Sequence, residues 1–308
     1  MNFLKLFYFF KPFIPRRLQL IARRLFVLRK RASVIHVWPI DQAVSPPPED
    51  FKGWLSGKKF AFLLTHDVET IKGLKRCEEL LAIDLELGFL SSFNFVPLRY
   101  RVPSSLRHKL VRNGLEVGVH GLKHDGKLYN SYKTFSRRAS QINRFLEDWN
   151  AVGFRSPSMH HNLEWLHKLN IQYDSSTFDT DPFEPQSDGV RKIFPFWFQG
   201  DKSEKGYIEM PYTMAQDFTL FILLKEKNID IWIKKLDWLA EKGGMALVGI
   251  HPDYLAFGNH NTASEEYPIQ LYKDLLLYVK EKYRDQYWNP TPRILADFWK
   301  REVCKIKD

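Results

Sequence analysis

The sequence predicts an α/β fold built on a parallel sheet. Two observations predict it: short, almost continuous apolar runs alternate with helix-like segments, and several of these runs end in reactive polar side chains. Near-continuous apolar runs are typical of strands that are buried on both faces. In parallel α/β barrels the functional side chains lie at the carboxyl ends of the strands. The second observation therefore also predicts where a functional site would lie.

The predicted strands are short, and the first one raises a question about charge. Residues 60–64 are apolar and lead directly into His66, Asp67 and Glu69. An ionised carboxylate is costly to bury unless it is paired, hydrogen-bonded or bound to a metal. We therefore expect a cation beside this strand end. The later predicted strands are 91–97, 115–121, 153–157, 171–176, 207–213 and 245–252, and the reactive residues near their ends are His120, His124, Arg155, Asp174 and His251.

Helices are predicted between these strands. In 74–88 leucines recur at helical intervals, and 229–244 carries an apolar face that ends at Gly243, a residue type favoured after a helix. The aromatic run 194–198 fits either the core or a platform for a sugar ring. The other predicted helices are 104–114, 134–150, 162–169 and 291–305.

The composition bounds the class of protein. Of 308 residues, 44% are hydrophobic, which is ample for one core. The two cysteines, Cys77 and Cys304, lie far apart in the sequence. They form neither a disulfide framework nor a zinc ribbon pattern, and they fit a reducing compartment.

The net charge of +10 belongs to one end of the chain. Residues 1–31 hold nine basic residues and no acidic one, which leaves 37 of the 46 basic residues against 36 acidic ones elsewhere. A nearly neutral body argues against a nucleic-acid partner. The apolar part of the arm is too short to span a bilayer, and the arm fits an anionic membrane surface. The alternative is a helix packed on the domain with its arginines in solvent.

The segment HGLKH places His120 and His124 four residues apart. On a helix or in a tight turn such a pair shares a face and can bind one ion. A carboxylate would complete a two-histidine, one-carboxylate site with open positions. The spacing alone also arises between unrelated surface histidines, so the pair needs its context.

Five short motifs occur along the chain: THDVE, HGLKH, FRSPS, YDSS and LVGIH. In this order and approximate spacing they resemble those of the polysaccharide deacetylase family, which has the NodB homology domain and is carbohydrate esterase 4-like. The resemblance covers residues 58–255 and implies an irregular (β/α) barrel with about seven strands. It also implies a metal-dependent hydrolase that removes acetyl groups from carbohydrate substrates.

The resemblance implies a role for each motif residue. His120 and His124 look like ligands of one divalent metal ion, with zinc favoured. The family usually reads Thr-Phe-Asp-Asp at the first motif, with the second Asp on the metal, but this position is Val68 here. We expect Glu69 to replace it, since alternate residues of a strand face the same side. In the alternative, Asp67 binds the metal and no separate base exists.

Four further roles follow from the same resemblance. Asp67 resembles the general base, and Arg155 the arginine that holds this carboxylate ionised. His251 resembles the general acid that protonates the leaving amine, and Asp174 the acidic residue that orients it. From the residues alone, Asp174 could equally cap the turn that follows it, and His251 could be a core histidine.

The chain divides into a basic arm with a proline-rich linker at 1–50, a barrel at 51–290 and a C-terminal helix at 291–308. This organisation, with few cysteines and a basic arm, predicts a cytoplasmic protein that is peripheral on the inner face of the membrane.

Three functions remain open from the sequence. The first is hydrolysis of a non-peptide carbon–nitrogen bond in an N-acetyl sugar of a polysaccharide or lipid-linked glycan. The second is hydrolysis of a small cyclic amide. The third is an inactive, glycan-binding barrel, because Val68 replaces an expected ligand. An iron oxygenase fits worse, since it gives Arg155 and His251 no role.

Overall fold

The structure, a computed structural model, describes residues 15–200, 205–258 and 263–306. The first 14 residues of the predicted arm therefore lie outside the described residues. A curled sheet of nine strands forms the centre of the described part. Its strands are β1 (Phe60–Val68), β2 (Ser91–Phe95), β3 (Glu116–His120), β4 (Gly153–Arg155), β5 (Tyr173–Asp174), β6 (Phe196–Gln199), β7 (Gly206–Glu209), β8 (Met245–Ile250) and, after a separate pair β9 (Leu255–Ala256) and β10 (Tyr267–Pro268), β11 (Tyr287–Trp288).

The strand order is β8-β1-β2-β3-β4-β5-β7-β6, and β11 pairs with the start of β1. All pairings in this sheet are parallel except that of β6 with β7. Beyond β7 the chain runs on between the two ends of the sheet. The Tyr212 amide donates to the Thr177 carbonyl oxygen at 2.9 Å, and the Thr213 amide donates to the Leu247 carbonyl oxygen at 3.4 Å. These bonds give the curled sheet its barrel-like closure.

The helices confirm most of the predicted segments. The predicted 162–169 is only a single turn, and the predicted C-terminal helix is completed by a π-helical turn at Trp299–Val303. One helix at Ile269–Lys282 was not predicted. The helices are α1 (Arg16–Arg31), α2 (Ile71–Leu87), α3 (Ser104–Arg112), α4 (Tyr132–Trp149), α5 (Leu163–Leu166), α6 (Asp230–Lys242), α7 (Ile269–Lys282) and α8 (Pro292–Phe298).

Local signals fix the ends of the helix that follows β1. The Thr70 side chain accepts a hydrogen bond from the Lys72 amide, as an N-cap does. The helix stops at Gly88, which has φ of 77° and so needs the left-handed conformation that glycine adopts easily. The chain therefore enters and leaves α2 at defined points, and Asp84 of this helix comes to lie against β1.

The alternation of side chains along β1 separates the barrel interior from the helix layer. Thr65 and Asp67 point inward, where both accept from the Arg155 guanidinium. His66 points outward, and its Nε2 lies 2.8 Å from an oxygen of Asp84 on α2. A single strand thus presents its charged end to the interior and anchors itself to a helix on the other side.

The strand count exceeds the predicted seven. The two additional strands are β6, with four residues, and β11, with two. The aromatic run 194–198 is only partly in the core. Phe194 is buried in the core, and β6 begins at Phe196 on the half-exposed edge of the sheet.

Helix α1 lies on the barrel, with Leu20 and Val27 buried. The sequence alternative of a packed helix with all of its arginines in solvent is therefore only partly right. Arg24 Nη2 donates to the Ile222 carbonyl oxygen at 2.9 Å. Among the described residues, no helix has the length and apolar content needed to cross a membrane.

Gly153, at the start of β4, has no room for a side chain. A Cβ there would lie 2.0 Å from the Tyr173 ring, which is anchored by a 2.9 Å hydrogen bond from its hydroxyl to Glu116. We predict that Gly153→Ala lowers the free energy of unfolding by about 1–3 kcal/mol, because the core must shift to accept the methyl group. Denaturant unfolding measures this.

Gly249 in β8 provides the matched control. A Cβ there meets its nearest atom at 3.6 Å, an ordinary contact. Gly249→Ala should stay within about 1 kcal/mol of the unsubstituted protein. Equal losses for the two variants would show that the tight packing around Gly153 is not a constraint.

Candidate active site

The structure gathers six of the seven predicted site residues at the carboxyl end of the sheet. They follow or end strands β1, β3, β4 and β8, as the sequence analysis expected for a parallel barrel. Asp174 also ends a strand, β5, but its oxygens bond to Ser176 and not to any of the six. The six residues are Asp67, Glu69, His120, His124, Arg155 and His251.

Glu69, His120 and His124 form a group of three ligands. One ligand atom from each residue lies within 4.8 Å of the others. His124 adopts φ of 53°, in the left-handed region, and its ring centroid is 5.2 Å from that of His120. No other group of three such residues comes together in the part of the chain that the structure describes.

The hydrogen bonds of the two histidines fit a metal site. His120 Nδ1 lies 3.1 Å from the Arg155 carbonyl oxygen, which leaves Nε2 buried without a hydrogen-bond partner among the described residues. His124 Nε2 is 2.9 Å from Glu69 Oε1, yet the contact lacks hydrogen-bond geometry. Metal-binding histidines commonly use one ring nitrogen for a carbonyl and the other for the ion.

The pKa values of His120 and Glu69 also favour a metal site. Burial lowers the pKa of His120 to about 4, although the nearby Asp67 carboxylate opposes this shift. The ring is therefore neutral near pH 7, as a metal ligand must be. Burial alone would raise the pKa of Glu69, but His124, followed by His251 and His120, holds it well below its usual range. The site thus offers a neutral His120 ring and an ionised Glu69 carboxylate beside His124.

Asp67 lies beside this group and is held by other residues. Arg155 Nη1 is 3.2 and 3.3 Å from its two carboxylate oxygens, and Asn94 Nδ2 donates to one of them at 2.9 Å. Burial would raise the pKa of Asp67, but Arg155, then His120 and His251, and the Asn94 hydrogen bond keep it well below its usual range. This carboxylate is ionised and positioned by the protein.

Arg155 is fixed on both sides. Its Nε donates to the Ser175 carbonyl and hydroxyl oxygens, each at 3.0 Å, and its Nη1 donates to Thr65 Oγ1 at 2.7 Å. Only 2% of the residue is exposed. A buried guanidinium with this many acceptors on β1 and beyond β5 has little freedom to leave Asp67.

His251 follows β8 and is bound to a carboxylate that the sequence analysis missed. Its Nδ1 lies 2.6 Å from Asp217 Oδ1, and its backbone amide donates to Oδ2 at 2.8 Å. Tyr267 also donates to Asp217, at 2.9 Å. Burial favours the neutral ring, but Asp217, then Glu69 and Asp67, raise the pKa of His251 to about 10. His251 is therefore a cation at neutral pH, with Nε2–H as its remaining donor.

The predicted role of Asp174 is wrong. Its oxygens accept from the Ser176 amide and hydroxyl, both at 2.8 Å, so it caps the turn after its own strand. Burial raises its pKa, and it lies beside Glu209. Asp174 sits in β5, across the sheet from β8, and Asp217 already occupies the Nδ1 side of His251.

The sequence contained one signal that could have identified Asp217 as a site residue. It follows the predicted strand 207–213 by four residues, and a polar residue after a strand was the criterion that identified the other site residues. Nothing near it resembles a motif, and its contact with His251 spans 34 positions. Only the closed barrel brings the two together.

The acidic residues of the loop after β5 are buried, and two of them are paired with residues of other elements. Asp179 forms an ion pair with Lys235, and Asp181 accepts from the Tyr212 hydroxyl at 2.7 Å. Burial, with a contribution from Asp181, raises the pKa of Glu184 to about 8. These acidic residues therefore serve the wall of the barrel.

The comparisons with known proteins support the fold. No model of a protein family matches the sequence, and no curated protein is similar to it. Similar solved structures include the PuuE allantoinase, with a TM-score of 0.63 at 14% identity over 85% of this chain and 96% of that one. A candidate polysaccharide deacetylase from Mycobacterium smegmatis has a TM-score of 0.61 at 16% identity, over 86% of this chain and 96% of its own.

A probable polysaccharide deacetylase from Pseudomonas aeruginosa PAO1 also has a TM-score of 0.61 at 16% identity, over 81% of this chain and 94% of that chain. At such identities the likeness concerns the fold. The chain therefore has the irregular barrel of the polysaccharide deacetylases, as the five motifs predicted.

We predict that Asp217→Asn lowers the pKa of His251 from about 10 towards its ordinary value near 6.5. Without the Asp217 charge, burial, which favours the neutral ring, would be opposed only by the charges of Glu69 and Asp67. Histidine side-chain NMR titration of the metal-free protein measures the change. Asp174→Asn is the control and should leave this pKa unchanged, whereas the opposite pattern would restore the original assignment.

The same pair makes stability depend on pH. Folding raises the pKa of His251, so the charged His251–Asp217 pair stabilises the folded state fully below about pH 6.5. This stabilisation is lost as the pH rises through about 10. The difference in free energy of unfolding between the unsubstituted protein and Asp217→Asn should therefore shrink over this range. A constant difference would mean that the pair is not charged.

Proposed function

We propose that the protein is a metal-dependent hydrolase of a non-peptide carbon–nitrogen bond, acting on an N-acetylated sugar. One observation carries the proposal. A buried, neutral His120 stands with His124 and Glu69 beside a separately held, ionised Asp67 and a cationic His251. Amide hydrolysis needs these components: a ligand set for an ion, a proton acceptor and a proton donor.

Glu69, His120 and His124 would hold one divalent ion. Their nitrogen and oxygen donors, with positions left open, suit zinc. Such an ion supplies an acidified water, with a pKa near 7, and polarises the acyl oxygen of the substrate. The buried nitrogen of His120 without a hydrogen bond supports this ligand role.

Asp67 is proposed as the general base rather than as a ligand. Two contacts support this role. Arg155 and Asn94 donate hydrogen bonds to the Asp67 oxygens, whereas Glu69 is the carboxylate near the histidine pair. An ionised carboxylate at this position can accept a proton from the attacking water. Arg155 would keep it charged and oriented, and would prevent it from turning towards the ion.

His251 is proposed as the general acid. An amine is a poor leaving group until it is protonated, and the raised pKa of His251 keeps a proton on the ring at neutral pH. Asp217 binds Nδ1, so the proton to be donated is on Nε2. General acid catalysis of this kind contributes roughly 10²–10⁴-fold in rate.

The proposed substrate is an N-acetyl sugar of a polysaccharide or lipid-linked glycan. Proteins of the same fold that are named as polysaccharide deacetylases support it. A small cyclic amide is the second candidate, because the allantoinase shares the fold over most of both chains. The unusual first motif, with Glu69 in place of the family Asp, is compatible with either substrate.

We predict that the purified protein holds about one divalent ion per chain and that His120→Ala/His124→Ala abolishes this binding, because two of three ligands are lost. Elemental analysis after incubation with zinc measures it. His36→Ala/His108→Ala removes two exposed histidines and is the matched control. An unsubstituted protein without bound ion would favour the inactive, glycan-binding alternative.

We predict that Asp67→Asn keeps the ion but lowers kcat for acetate release from N-acetylglucosamine oligomers by about 10²–10⁴-fold, because the proton acceptor is lost. Metal content and acetate release are measured on the same preparation. Loss of the ion in this variant would show that Asp67 is a ligand. Turnover of cyclic amides but not of the sugars would select the second candidate substrate.

A further inference from the structure

Helix α1 uses its basic residues against the barrel. Arg24 donates to the Ile222 carbonyl oxygen at 2.9 Å, and Arg31 pairs with Glu226 at 2.7 Å. The arginines of an ordinary surface helix would point to water, with apolar residues underneath. In α1 a large share of the positive charge faces inward.

Two further contacts extend this inner side. The Arg23 guanidinium lies 4.9 Å from the centre of the Phe218 ring, a cation–π distance. Lys30 Nζ donates to the Pro182 carbonyl oxygen at 2.7 Å. These contacts hold α1 on the π-helical turn at Phe218–Leu223 and on the loop after β5, so the helix has a fixed orientation on the barrel.

The outer face of α1 is consequently apolar. Four residues at spacings of three, four and three share one side of the helix, and each is about half exposed. Phe26 flanks them and is equally exposed. This stripe is too continuous to be scattered surface apolar residues. Its members are Leu18 (55%), Ile21 (49%), Leu25 (50%) and Leu28 (46%).

The charge around the stripe selects its partner. Arg17 and Arg29 are exposed towards its two ends, and residues 1–31 contain no acidic side chain. A second copy pairing through the same face would bring like charges together, since such an interface is self-complementary. Anionic lipid headgroups complement the arginines, and the acyl boundary takes the leucines.

We propose that the outer face of α1 docks the protein onto an anionic bilayer surface. The stripe would enter the boundary between headgroups and acyl chains, and Arg17 and Arg29 would contact the headgroups. The preceding residues, NFLKLFYFFKPFIP, have the same apolar and basic composition. The inference does not depend on the proposed activity, because it uses none of the active-site residues.

Flotation of the full chain with lipid vesicles tests the inference. We expect binding to vesicles of phosphatidylcholine with phosphatidylglycerol, and at least tenfold weaker binding to phosphatidylcholine alone. The variant Leu18→Gln/Ile21→Gln/Leu25→Gln/Leu28→Gln should lower binding at least tenfold. Since these side chains are exposed, the fold should survive the change, and circular dichroism checks this.

Two more variants control the result. Leu55→Gln/Val111→Gln/Ile294→Gln removes exposed apolar residues elsewhere and should bind vesicles normally. Arg17→Gln/Arg29→Gln tests the charges separately and should weaken binding to the anionic vesicles, more so at low salt, where surface charges are least screened. This variant decides the question if the four-residue variant does not fold.

Three outcomes would overturn the inference. Unchanged vesicle binding in the four-residue variant, which retains residues 1–14, would place the contact in those residues instead. Equal binding to neutral and anionic vesicles would remove the role of the arginines. A dimer that the leucine substitutions dissociate, without vesicle binding, would identify a second copy as the partner.

Discussion

The buried pair of Asp67 and Arg155 is the interaction on which the site depends. Taking both ions out of water costs several kcal/mol for each, and their attraction compensates only if the remaining hydrogen-bonding groups are also satisfied. Thr65, Ser175 and Asn94 satisfy most of them, and they come from different strands or strand ends. The curled sheet is therefore needed to assemble the pair. Any change that opened the barrel would leave a charge buried without its partners.

Two histidines in one site acquire opposite protonation states from their surroundings. At His120 burial outweighs the nearby Asp67 carboxylate, so the pKa of this ring falls to about 4. His251 has the Asp217 carboxylate at 2.6 Å, which outweighs burial and raises its pKa to about 10. Separated pKa values of this kind divide the tasks of a site between similar groups. One ring presents a lone pair while the other keeps a proton, over the whole range between the two values.

The sequence predicted the features that depend on local order along the chain. Strands ending in reactive residues, and the caps that bound α2, can be identified from neighbouring residues alone. Asp217 could not be paired with His251 in this way, because their contact requires the closed barrel. The orientation of α1 was equally hidden. Its periodic pattern defines an apolar face and a basic face, but only the contacts of Arg24 and its neighbours with the barrel decide which face is inside.

The position of Val68 follows from the same alternation that orders β1. Thr65 and Asp67 face inward and His66 faces α2, so position 68 also faces away from the site, and Val68 is fully buried there. An aspartate at 68 would lie in an apolar layer unless the strand twisted, at the cost of an unpaired buried charge. Glu69 is the next position on the inner side, and its longer side chain places Oε1 2.9 Å from His124 Nε2. The alternation thus places a carboxylate at the histidine pair, which supports the proposed ligand role of Glu69.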